Sequence, residues 1–256
     1  MAIFAAYFDA SGRSDNKQKA GSLWVSGFVS TVEKWLRFEE RWLELLSQHD
    51  ITPPFHMTDF MAGRREYARW KGDAVRQDAF LLAAAKIIHQ ETNKPFSIGM
   101  YLEDLRRFYA QYEVPGLQDP QAYTWCALQA VNATKIWTRN RLKAKTVSGA
   151  DTFQCFFEEG DLYSDTFVRI ARDTYGIIPQ FLGKECVPFQ ACDLLAWEHR
   201  NMATNIRLHG SGYTRSSYNA LQHYLPNDAM RYTSWRGLAQ TAKEFAFPRR
   251  TRPIPP

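Results

Sequence analysis

An apolar run, Ile3-Phe4-Ala5-Ala6-Tyr7-Phe8, stops abruptly at Asp9, and Ser11 and Gly12 follow. The run reads as a buried β-strand. A carboxylate at the end of such a strand loses water and must find cations or hydrogen-bond donors. Two readings of Asp9 stand at this point. It is a site residue on which other acidic motifs converge to hold divalent metal, or it caps the turn that leaves the strand.

The rest of the chain alternates apolar runs with helical patterns. Ser22–Val29 reads as a second strand, antiparallel to the first, after a polar connection over 13–21. Ser30-Thr-Val-Glu33 has the form of a capping box, and apolar residues at helical spacing carry a helix to about Ser47. Thr52-Pro53-Pro54 ends any helix and leads into Phe55-His56-Met57-Thr58-Asp59-Phe60. Helices are predicted over 79–90, 103–112, 123–142, 162–175 and 188–203, the last with Pro188 in a first-turn position. Strands are predicted over 95–102, 152–157 and 177–182. The pattern is α/β, a mixed sheet flanked by helices, with helical additions after residue 205. A domain over 1–205 with a C-terminal extension over 206–256, packed on it and ending in the basic, Pro-rich stretch 248–256, is the simplest organisation.

Composition narrows the function classes. The 256 residues carry a formal charge of +5, which permits a polyanionic partner without demanding one. Cys126, Cys155, Cys186 and Cys192 lie far apart with no CxxC pair, so they read as reduced core thiols, not a disulfide frame or zinc cluster. No apolar run approaches membrane-spanning length and no basic leader precedes one, so a soluble cytoplasmic protein without membrane contact is expected. There is no GxxxxGK phosphate loop and no Gly-x-Ser-x-Gly after a strand, which argues against an NTPase and a serine hydrolase.

Three places put carboxylates at the ends of buried elements. They are Asp9, the pair Glu158-Glu159 after the fourth strand, and Asp193 in the helix that begins PFQACDLLAW. Gln190, Asp193 and Trp197 share one face of that helix, while Leu194 and Leu195 point into the core. If strands one and four are parallel neighbours, their acidic ends meet, and the helix can carry Asp193 to the same point. Clustered carboxylates repel unless cations neutralise them, and hard oxygen ligands select Mg²⁺ or Mn²⁺. The competing reading is a set of unrelated caps and salt bridges.

The strings FDASG at 8–12, FHMTDF at 55–60, FEEGD at 157–161 and FQACDLLAW at 189–197 resemble, in order, the motifs of the "domain of unknown function 3800" family. The resemblance spans about residues 3–203. It implies a ribonuclease H-like fold and a metal-dependent nuclease acting on nucleic acid. The resemblance carries over Asp9, His56, Asp59, Glu158, Gln190 and Asp193; of these Asp9, Glu158 and Asp193 are read as metal ligands and catalytic, and Glu159, beside Glu158, as an auxiliary ligand. His56 and Asp59 assist as general base or water-orienting groups, and Gln190 orients Asp193 or a water. Ser11, Arg64, Arg65 and Gln190 are assigned to substrate. One position departs from the pattern: the family's second-position Glu is Ala10 here. That departure opens an alternative, a catalytically silent module that binds nucleic acid or protein.

Two further readings come from the basic residues. Arg64, Arg65 and Arg69 are interleaved with Tyr67 and Trp70, the composition of a surface that binds phosphates and stacks bases. Lys135, Arg139 and Lys143 line one helical face, where they also compensate the helix dipole.

Overall fold

In the computed structural model, residues 4–12, 21–114, 122–143, 153–160, 164–210, 216–225, 230–244 and 247–249 are described. Six strands form one sheet: β1 (Phe4–Ser11), β2 (Ser22–Thr31), β3 (Lys94–Tyr101), β4 (Phe153–Glu158), β5 (Gln180–Leu182) and β6 (Met230–Tyr232). Their order is β5-β4-β1-β2-β3-β6. β1, β2 and β3 are antiparallel, whereas β4 pairs parallel with β1 and β5 parallel with β4. The expected mixed sheet flanked by helices is therefore present, with β1 at its interior.

Side chains alternate across β1, and both faces are covered. Phe4, Ala6 and Phe8 enter one hydrophobic cluster with helices α4 (Leu102–Gln111), α5 (Ala122–Leu142), α6 (Ser164–Tyr175) and α9 (Trp235–Glu244). Ala5 and Tyr7 face the other cluster. That cluster is formed with α1 (Val32–Gln48), α2 (Met57–Ala62), α3 (Ala74–Glu91), α7 (Pro188–His209) and α8 (Ser216–Tyr224). Burial on both sides is why β1 reads as a continuous apolar run without polar alternation.

Several boundaries differ from the sequence reading. The helix α1 is capped by Thr31, whose Oγ1 accepts from Lys34 N–H. Ser30 is still in β2, opposite Ala5, and its hydroxyl oxygen lies 2.8 Å from both Glu91 O and Asn93 Oδ1. The predicted reciprocal role of Glu33 is replaced by a pairing with Arg37 one turn on. Only 180–182 of the predicted last strand pairs with β4. The helix α7 continues to His209, because no breaker occurs before Gly210, so it runs through the boundary expected at 205. The extension is not purely helical: β6 joins the sheet edge beside β3. The connection 13–20, the Asp161 end of FEEGD and the stretch beyond Arg249 lie outside the described residues.

Candidate active site

The register between β1 and β4 builds the site. Tyr7 pairs with Phe156 and Phe8 with Phe157, so the next residues, Asp9 and Glu158, sit side by side where the strands part. Both follow the alternation of Tyr7 and Phe156 and face the α7 side of the sheet. The helix α7 crosses that face. Phe189 packs on Tyr7 at 5.7 Å between centroids, and the Cys192 thiol donates to Tyr7 O at 3.2 Å. One residue later, Asp193 is carried to the same strand end.

The three carboxylates interact. Burial, then the charges of Asp193 and Glu158, push the Asp9 carboxyl well above the usual carboxylate range, and a side-chain hydrogen bond to Glu158 adds to the shift. The Ala10 N–H donates to Asp9 Oδ1 at 2.7 Å and opposes it. The strand does not end at Phe8: Asp9, Ala10 and Ser11 still pair with Ser26, Val25 and Trp24, so Asp9 lies within β1 and does not cap a turn. Glu158 has a cation, Lys184 Nζ, 3.0 Å from its Oε1, and that hydrogen bond raises the Lys184 pKa.

Asp193 and Gln190, three residues apart on α7, clip the segment before α2. Gln190 Oε1 accepts from Phe55 N–H at 2.7 Å and from Trp42 Nε1 at 3.0 Å. Asp193 Oδ2 accepts from Met57 N–H at 2.8 Å. His56 is held between these two bonds, its Nδ1 3.2 Å from Asp193 Oδ2. The hydrogen bond to Asp193 raises the His56 pKa against the effect of burial. A small cleft, open to solvent, lies here, lined among others by His56, Glu158, Lys184, Gln190 and Asp193. Gln190 is buried, and its Nε2 has no hydrogen-bond partner among the described residues.

Other expected residues lie elsewhere. Asp59 is engaged by Arg64 at 3.7 Å and Arg65 at 3.3 Å, and none of its described partners belongs to the cluster. Glu159 is exposed, and its backbone N–H donates to Leu182 O. Ser11 is buried on β1. Tyr67 and Trp70 are buried at 2% and 0% exposure, so the expected stacking surface is a correction: these rings are core, packed on Phe60 and Phe80. The interleaving of aromatic and basic residues arose from a 3₁₀ turn that buries one side and exposes the other. Lys135 Nζ donates to Tyr175 O, a structural use of that helix face.

Ala10 packs against the opposite cluster, on the face of β1 away from Asp9. Position 10 therefore does not supply the Asp9 face of the sheet. Sequence reasoning missed Lys184, for which the only available signal was a lone cation in the turn after β5.

Among the described residues, no three Asp, Glu, His or Cys side chains stand at the spacing of preformed metal ligands. The donor chemistry nevertheless suits a hard divalent cation. Three carboxylates from three elements act on one another: burial and the other two acids raise the Asp9 pKa, the Ala10 N–H opposes that rise, and the Lys184 ammonium interacts with all three.

Against known proteins, no family description and no curated protein matches the chain. Among solved structures it is similar to a chain of "Structure of the PCNA:RNase HII complex from Archaeoglobus fulgidus". The identity is 14% and the TM-score 0.42, with 90% of this chain and 92% of that chain covered. No helix among the described residues is long and apolar enough to cross a membrane.

Proposed function

We propose that this chain is a metal-dependent phosphodiesterase acting on nucleic acid, a member of the domain-of-unknown-function-3800 family that its four motifs resemble. The observation that carries the reading is the meeting of Asp9, Glu158 and Asp193 at one strand end, from β1, β4 and α7. Mg²⁺ or Mn²⁺ bound by these carboxylates would supply Lewis acidity and an activated water.

The chain's own residues do the rest. Asp193 fixes His56 through Nδ1, leaving Nε2 to accept or return a proton. Gln190 and Asp193 hold the backbone on both sides of His56, so the imidazole is positioned by α7. Lys184 offsets the charge on Glu158 and is exposed enough to meet a phosphate. Arg64 and Arg65, both largely exposed beside Asp59, are the candidates for outer phosphate contacts.

The second reading, a silent binding module, is favoured by one observation: Glu158 and Asp193 already have Lys184 and His56 as cationic neighbours. Incubation with single- and double-stranded DNA and RNA in Mg²⁺ or Mn²⁺ separates the two. Cleavage that is lost in Asp9→Asn and Asp193→Asn supports the enzyme; binding without cleavage under every condition supports the module.

A further inference from the structure

The helix α7 carries a second charged residue on the Asp193 face. Arg200 lies seven positions on, almost two full turns, so it shares that face about 10 Å further along the axis. Its Nε stands 3.4 Å from where a Cβ on Gly12 would lie. Gly12 in turn is three residues beyond Asp9, also about 10 Å on at the rise of an extended chain. The helix and the strand end thus run together, with Asp193 over Asp9 and Arg200 beside Gly12. Gly12 adopts φ +106°, a conformation glycine tolerates, and a side chain there would also strike Ser22 O at 2.3 Å.

Arg200 is partly buried and no carboxylate among the described residues reaches its guanidinium; burial lowers its pKa and nothing offsets that effect. By contrast Lys184, the other cation at the acids, is paired with Glu158 at 3.0 Å. A guanidinium that has lost water without gaining an anion is an unfavourable arrangement. It is relieved when a phosphate accepts its forked N–H donors.

We propose that Arg200 binds a non-scissile phosphate of a nucleic-acid strand whose scissile phosphate lies at Asp9 and Asp193. The inference rests on the functional reading above and sharpens it: the ligand is a polymer, because one phosphate cannot span both places. Contact with phosphate oxygens carries no base preference, so the class is a phosphodiester backbone and not a particular sequence.

The test needs no turnover. Fluorescence anisotropy in EDTA would follow a fluorescein-labelled 12-nucleotide oligothymidylate and oligouridylate, with the dinucleotide TpT and inorganic phosphate as competitors. Wild type is expected to bind at least one 12-mer, and Arg200→Met to weaken that binding tenfold or more. Arg200→Lys should recover part of it. The slope of log K against log salt should shrink by about 0.7 in Arg200→Met, the share of one phosphate on a single strand. TpT and phosphate should compete equally with both proteins. Arg200→Met should also melt no lower than wild type, since an uncompensated charge is removed; a structural arginine would do the opposite. Binding of the 12-mer unchanged within twofold in Arg200→Met, or no 12-mer binding by wild type, overturns the proposal. Failure of cleavage alone, with Arg200-dependent binding intact, would instead count against the hydrolase reading and leave this one standing.

Discussion

Asp9 and Glu158 occupy neighbouring positions on parallel strands, one step past the pair Phe8 and Phe157, and the Glu158 carboxylate raises the Asp9 pKa. Burial and two neighbouring acids keep Asp9 protonated above its ordinary range. A raised pKa in the folded state means that the native protein holds a proton the unfolded chain has shed. The stability from this group is complete below the unfolded value near 4 and declines as pH rises toward the folded value. Asp9→Asn mimics the protonated acid. The variant should therefore match wild type near pH 4 and exceed it at pH 8, by about 2–4 °C in Tm for each kcal/mol relieved. Thermal melts at the two pH values check this.

His199 predicts an opposite dependence. It is 6% exposed between Trp24 and Tyr218, and burial pushes its pKa down to about 4. An unfolded histidine titrates near 6.5. Between these values the unfolded chain takes up a proton that the native protein refuses, so stability falls as pH drops from about 6.5 to about 4. The loss is roughly 3 kcal/mol, from 1.36 kcal/mol per pH unit. Urea unfolding from pH 7 to pH 4 should show a shallower decline in His199→Phe.

Tyr67 and Trp70 are predicted to matter for folding and not for nucleic-acid contact. Both rings are buried against Phe60, Tyr67 also against Phe55 and Trp70 also against Phe80. Replacing either by Ala should cost about 3–5 kcal/mol. A variant that remains folded should bind oligonucleotide like wild type, measured by anisotropy beside a urea titration.

Gln190 links the core to the site. Gln190→Leu removes the acceptor for Trp42 Nε1 and Phe55 N–H, both buried bonds. Each donor left unsatisfied costs about 1–3 kcal/mol. The segment that presents His56 should loosen, so any cleavage should fall through kcat while the melting temperature drops. Differential scanning calorimetry with a rate assay distinguishes this from loss of a substrate contact, which would raise KM alone.

Much of this arrangement was legible from residue pattern. The double-sided burial of β1 followed from Ile3–Phe8, and the meeting of Asp9 with Glu158 followed from parallel pairing of two acid-tipped strands. The helical face through Gln190 and Asp193 followed from spacing, and Leu194 and Leu195 are in the core as expected. What the sequence could not show depends on tertiary packing. The clip that holds His56 needs α7 docked across residues separated by 135 and 136 positions. Tyr67 and Trp70 read as a stacking surface because local composition does not reveal which side of a turn faces the core. Ala10 read as a departure from the family pattern that opened the silent-module alternative, and strand alternation sends it into the opposite cluster. Three-residue strands such as β6 carry too little periodicity to be seen.

The most direct measurement is calorimetric titration of Mn²⁺ into wild type, Asp9→Asn and Asp193→Asn at pH 7.5. Wild type should release saturable heat and gain thermal stability with added ion, since binding to the native state alone raises its stability by mass action. Both responses should vanish in each variant. No saturable heat in wild type, or the same heat in all three proteins, would contradict a metal centre built on Asp9 and Asp193.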